Sequence, residues 1–257
     1  EALALPTDEL VVIVHGDANV VGSAALDDRT VVLIGASGGS FAAHRIYADP
    51  AAQIDLDGGR LYIADLFVAG ATGPWLAVSD GLVRLDRATV EHIGGASIAL
   101  DGAGAEARVV SSVMYSAFGS APAFIDANGG ATVDVRYSTL ALTDDTAAIA
   151  CSAGNVAAIR SSLVVSVNDV PTTLCPGADV TYSATSFEVD GTGNQTIGPL
   201  SASWFQVLQF NYHLTDQHPA LIGSVARWTG GDPLVDLDRE ARMVGEGAMG
   251  YAGADRP

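Results

Sequence analysis

The chain has no lysine. All 12 of its basic residues are arginine, set against 30 aspartates and glutamates, for a net charge of −18. A surface this acidic repels nucleic acid phosphates and anionic membranes, which excludes both as expected partners. It suits solubility in salt, and a compositional bias toward Ala, Gly, Asp and Arg accounts for it without any acidic site. Charged residues are scarce at 16% while apolar ones reach 49%, so a disordered chain is excluded and a large core is possible. No apolar run approaches the ~18 residues of a membrane helix. Runs such as Leu10–Val14 and Val31–Ile34 have the length of strands. At Glu1 there is no basic leader or cleavage pattern, and what precedes it stays open. Zinc ligand spacing is missing too, since neither of the two cysteines belongs to a CxxC pair or has a nearby histidine.

What is present is a repeat. RLYIADLFV from Arg60, LVRLDRATV from Leu82, EARVVSSVM from Glu106, TVDVRYSTL from Thr132, VAAIRSSLV from Val156 and VTYSATSFE from Val180 align at steps of 22, 24, 26, 24 and 24 residues. A fixed period in this range marks a solenoid. With the first residue of each copy as position zero, position three holds Ile63, Leu85, Val109, Val135, Ile159 and Ser183. Position two holds Tyr62, Arg84, Arg108, Asp134, Ala158 and Tyr182. Alternation with period two is a strand with one buried face. Position six is small in five copies and mostly serine: Ala88, Ser112, Ser138, Ser162 and Ser186.

Strand, small-residue corner and second apolar position together predict an all-β fold, a right-handed parallel β-helix. The serine column becomes a ladder at a corner. About eight coils, starting near residues 9, 29, 60, 82, 106, 132, 156 and 180, give a rod of roughly 34 Å at ~4.8 Å per step. Cys151 and Cys175 are 24 residues apart, one coil, and each lies 19 residues into its copy. Stacking at ~4.8 Å falls within disulfide reach, so a Cys151–Cys175 bridge is expected. Two buried free thiols are the alternative. A bridge implies an oxidising, extracellular compartment.

After Val189 the repeat stops. Residues 1–190 are expected to form the coils, and 191–257 a last coil and C-terminal cap of the same domain. Trp204, Phe205, Val207, Leu208, Phe210, Tyr212 and Leu214 are the residues available to cover an open end. Within this tail Tyr212-His213-Leu214, His218-Pro219-Ala220-Leu221, Asp236-Leu237-Asp238-Arg239, Arg242 and Gly253-Ala254-Asp255 follow a recognisable order. It resembles the ending of secreted bacterial right-handed parallel β-helix proteins of the surface-anchored, pectate-lyase-like group. His218 stands where that group has serine, Arg239 where it has glycine, and Arg256-Pro257 where it has an acidic end. The resemblance implies a surface-attached protein among relatives that include polysaccharide lyases and adhesins. The lyases of that group use acidic calcium ligands and an arginine or lysine base on an outward strand face.

Outward arginines are present. Arg84 and Arg108 share position two, followed by Asp134; Arg136 and Arg160 share position four, with Asp86 two coils earlier. Such a column can grip carboxylates by paired N–H donors, or can be an ordinary surface salt-bridge ladder. Asp144 and Asp145 have the chemistry of a glycosidase acid–base pair, though GHG and RIK motifs are missing and polar turn residues are the plainer reading. Asp232, Asp236 and Asp238 could offer oxygen ligands to calcium but lack EF-hand spacing. No catalytic constellation is complete. The expected function is therefore a cell-surface or extracellular, non-catalytic carbohydrate-binding or adhesion module, with a polysaccharide or surface glycan as partner. The alternatives are a lyase or hydrolase of acidic glycans, in which Arg136, Arg160 and Asp144-Asp145 would act, and a passive spacer.

Overall fold

Alternating strands one repeat apart stack in parallel and build three sheets. The computed structural model describes residues 8–36, 44–69, 73–92, 96–116, 123–142, 147–152, 154–167, 174–205 and 213–255. The first sheet stacks eight strands from Glu9–Val14 to Asp179–Thr181; the second stacks nine, from Asp17–Val20 to Gln195–Thr196. The third holds six, from Ser23–Ala25 to Ala147–Cys151. The fold is a parallel β-solenoid of about six full turns rather than eight. Eight strands do stack in the first sheet, but among the described residues only six turns contribute to the third. None of the described helices is long and apolar enough to cross a membrane.

The repeat register holds through Val156. Arg84 pairs with Arg108 and Arg108 with Asp134, while Val110 pairs with Arg136 and Arg136 with Arg160. Position three forms one aliphatic file along the interior: Val12, Leu33, Ile63, Leu85, Val109, Val135, Ile159 and Val180. The last copy is a correction. Val180 pairs with Ile159 rather than with Val156, a slip of three residues. The connection before it is three residues shorter than the period of 24, so Ser183 and not Ser186 lies under Ser162. Ser186 instead accepts a hydrogen bond from the Ser166 N–H at 2.9 Å.

The serine ladder occupies the corner between the first two sheets. One residue per turn there is left-handed: Asp65, Arg87, Ser111, Tyr137, Ser161 and Tyr182, with φ of 55, 49, 45, 47, 51 and 50°. Each non-glycine residue in this region costs about 1–2 kcal/mol. The ladder offsets that cost. The N–H groups of Ala88, Ser112, Ser138 and Ser162 each donate to the hydroxyl of the serine one turn on, at 3.0–3.2 Å. The hydroxyls of Ser112, Ser138, Ser162 and Ser183 donate in turn to the carbonyl two residues back in their own strand. Ser138→Ala strands the buried Ser112 N–H, and we expect a loss of about 1–3 kcal/mol in urea unfolding. A neutral result would show that the ladder does not hold the corner.

The bridge between Cys151 and Cys175 forms, with Cα atoms 5.2 Å apart. It ties the sixth turn, where the third sheet ends, to the seventh. Phe187 lies in the inner core, with Val189 packed against it.

The tail departs from the expected position. Trp204, Phe205 and Leu214 are buried, but against the outer face of the second sheet rather than over an open end. Ile222, Val225, Leu237 and Ala254 join them on Phe67, Val113, Tyr115, Leu163 and Val165, forming a second core. Val207, Leu208, Phe210 and Tyr212 lie outside the described residues. Polar contacts fasten the tail to the corner column turn by turn. Arg239 pairs with Asp65 at 3.0 Å, and the Ser111 hydroxyl donates to the Val235 carbonyl. Arg242 stacks on Tyr137 at 4.6 Å, the Arg227 N–H donates to the Ser161 hydroxyl, and Arg227 stacks on Tyr182 at 5.8 Å.

Candidate functional site

Strand pleating sends positions two and four of the first sheet outward, and the docked tail raises a wall beside them. The result is a groove of about 470 Å³ whose floor includes Arg84, Arg108 and Arg136, and whose wall is the tail loop from Gly231 to Val235. Each floor arginine is held by a carboxylate on its own strand: Arg84 by Asp86 at 3.0 Å, Arg136 by Asp134 at 2.9 Å, and Arg108 by Glu106. A guanidinium has five N–H donors, so one such partner orders the side chain and leaves donors for a ligand. A second hollow of about 580 Å³ adjoins the first at Arg108 and contains Tyr62, Asp28 and Asp80.

The structure thus brings together three of the expected arginines. Arg160 is placed otherwise. Its Nη2 donates to the Arg227 carbonyl at 2.9 Å and to the Asp232 carboxylate at 3.0 Å, so it anchors the wall. Asp144 and Asp145 lie outside the described residues. One charged groove residue, Arg87, was missed in the sequence; Asp232 was read there as an oxygen ligand for calcium and instead pairs with Arg160. Arg87 donates to both oxygens of Asp65 at 2.9 and 3.1 Å. Burial pushes the Asp65 carboxyl up, but hydrogen bonds from Arg87 and Arg239 outweigh it and hold it below the ordinary value. Asp65 and Arg87 share position five one repeat apart, and opposite charges at one repeat position were the available signal.

The proposed calcium ligands do not converge. Asp232 serves Arg160 and accepts from the Thr229 N–H at 2.7 Å. Asp236 closes a turn by accepting from the N–H groups of Asp238 and Glu240. Among the described residues the compact set is His213, Asp238 and Asp255, with ligand-type atoms within 4.8 Å of one another. There the imidazole itself supplies the cation. Its Nδ1 lies 2.6 Å from Asp238 and 2.9 Å from Asp255. Burial alone would lower its pKa, but the two carboxylates raise it to about 10.

That value lies above the usual histidine value near 6.5. The clamp's contribution to stability is therefore complete below about pH 6.5 and disappears as pH rises through 10. Urea unfolding should show a decline across this window that His213→Gln abolishes. An equal decline in the variant would contradict the clamp.

On the second sheet, Arg45 Nη1 lies 3.2 Å from the Tyr47 hydroxyl and its guanidinium stacks on Phe67 at 5.7 Å. Burial pushes the nearby Glu91 carboxyl up, partly offset by a hydrogen bond from Tyr115. In comparisons with protein-family models, curated proteins and solved structures, nothing matches this chain.

Proposed function

We propose that this solenoid is an extracellular or cell-surface protein that binds an acidic glycan in the groove of its first sheet without turning it over. The observation that carries this reading is the gathering of Arg84, Arg108 and Arg136 on one groove floor in a chain of net charge −18. Stability gives little reason for such a file, because exposed ion pairs contribute about 0–1 kcal/mol each. Carboxylate recognition does, since guanidinium pairs with carboxylates in a two-pronged geometry. The Cys151–Cys175 bridge is consistent with an oxidising location. The tail's resemblance to surface-anchored pectate-lyase-like proteins points the same way.

Calorimetric titration with an oligogalacturonate at low salt tests the proposal. We expect binding that weakens with salt and falls about ten-fold or more in Arg108→Gln, equivalent to one lost charge-assisted hydrogen bond. A neutral glucan should not bind. Absence of binding overturns the reading. Release of unsaturated or reducing ends from the same sample would show an enzyme instead.

A further inference from the structure

The two hollows of the first sheet differ in charge, and the difference bears on which acidic glycan fits. The hollow beside the tail contains Arg84, Arg87, Arg108 and Arg136. The adjoining one is built around Tyr62, with Asp28, Asp80, Glu106 and Arg60 in its lining, and it shares Arg108 with the first. Both aspartates are exposed, and among the described residues neither is in an ion pair, unlike Asp86 and Asp134 in the first hollow. Glycine leaves room for them. A Cβ at Gly58 would collide with the Asp28 carboxylate, and one at Gly104 with that of Asp80. Asp28, Asp80 and Glu106 outnumber Arg60 and the shared Arg108, so a further carboxylate brought beside Asp28 and Asp80 is disfavoured. They accept well from hydroxyl or amide donors, and the Tyr62 ring offers an apolar face to a sugar.

Tyr62, Arg84 and Arg108 are direct neighbours on three successive strands, with Arg136 on the next strand. The path from ring to last arginine covers three steps, roughly 14 Å at ~4.8 Å each. A single extended oligosaccharide covers it.

We infer that the ligand of this groove is a heteroglycan in which an uncharged sugar, stacked on Tyr62 and read by Asp28 and Asp80, is followed by an acidic sugar held by Arg84, Arg108 and Arg136. This rests on the glycan-binding reading above and narrows it: a chain of uronic acids alone would put a carboxylate against Asp28 and Asp80.

The test compares two probes of matched length by calorimetry: an oligogalacturonate, acidic at every unit, and a hyaluronan oligosaccharide, in which uronate alternates with an uncharged hexosamine. The native protein is expected to bind the alternating probe about ten-fold more tightly. Asp28→Asn with Asp80→Asn should raise affinity for oligogalacturonate and bring the two probes close to parity. Tyr62→Ala should weaken the alternating probe more than the other. Equal affinities in the native protein, or a preference unchanged in the Asn double variant, overturn this inference and leave the glycan-binding reading standing. Binding of neither probe overturns both.

Discussion

Asp232→Ala is expected to destabilise the protein by about 3 kcal/mol, the lower end of the range for removing one partner of a buried pair. The Asp232 side chain is fully buried, whereas that of Arg160 is 24% exposed, which places the cost at that lower end. The substitution leaves the Arg160 guanidinium without its carboxylate and the Thr229 N–H without its acceptor. The loss should appear as a lower urea midpoint with an unchanged slope. In an Arg160→Ala background the same substitution should cost far less, because the stranded charge is already gone. Additive losses in that cycle would show that the pair does not act as a unit. Because Gly231 to Val235 form the groove wall, the variant should also bind glycan more weakly, although no floor arginine has changed.

Leu85→Ala should be comparably damaging, at about 2–5 kcal/mol. Leu85 is fully buried and lies between Ile63 and Val109 in the interior file. Neighbouring strands on both sides hold the backbone, so the site cannot collapse and a cavity remains. Val12 is in the same file but in the first turn, where it is half-buried. Val12→Ala should cost about 1 kcal/mol or less. Equal effects of the two substitutions in thermal unfolding would argue against a continuous interior.

Much of this architecture was legible because stacking makes the sequence align with itself. Alternation at positions one and three gave the first sheet, and the spacing of Cys151 and Cys175 gave the bridge. The slip at Val180 was not legible in the same way. VTYSATSFE satisfies a small residue at position six with Ser186 as well as Ser183 does three residues earlier, and nothing local separates them. Docking of the tail was missed for a different reason. A strand covered on both faces does not alternate, and Val113–Ser116, Thr139–Leu142 and Leu163–Ser166 are buried throughout. That unbroken run of apolar and small residues was the signature of a second cover. The groove was half legible: the arginine floor follows from period two, but its wall comes from the distant tail, Gly231 to Val235, which no repeat can announce.

The docked tail also changes how the rod should come apart. A simple solenoid is held by nearest-neighbour contacts and can fray one winding at a time. Here Arg239 grips the turn of Asp65 while Arg227 rests on that of Tyr182, so a single segment spans six windings like a splint. Peeling the last winding means first lifting the splint from the windings it covers, and their opening should therefore be a single cooperative event rather than a progressive unzipping.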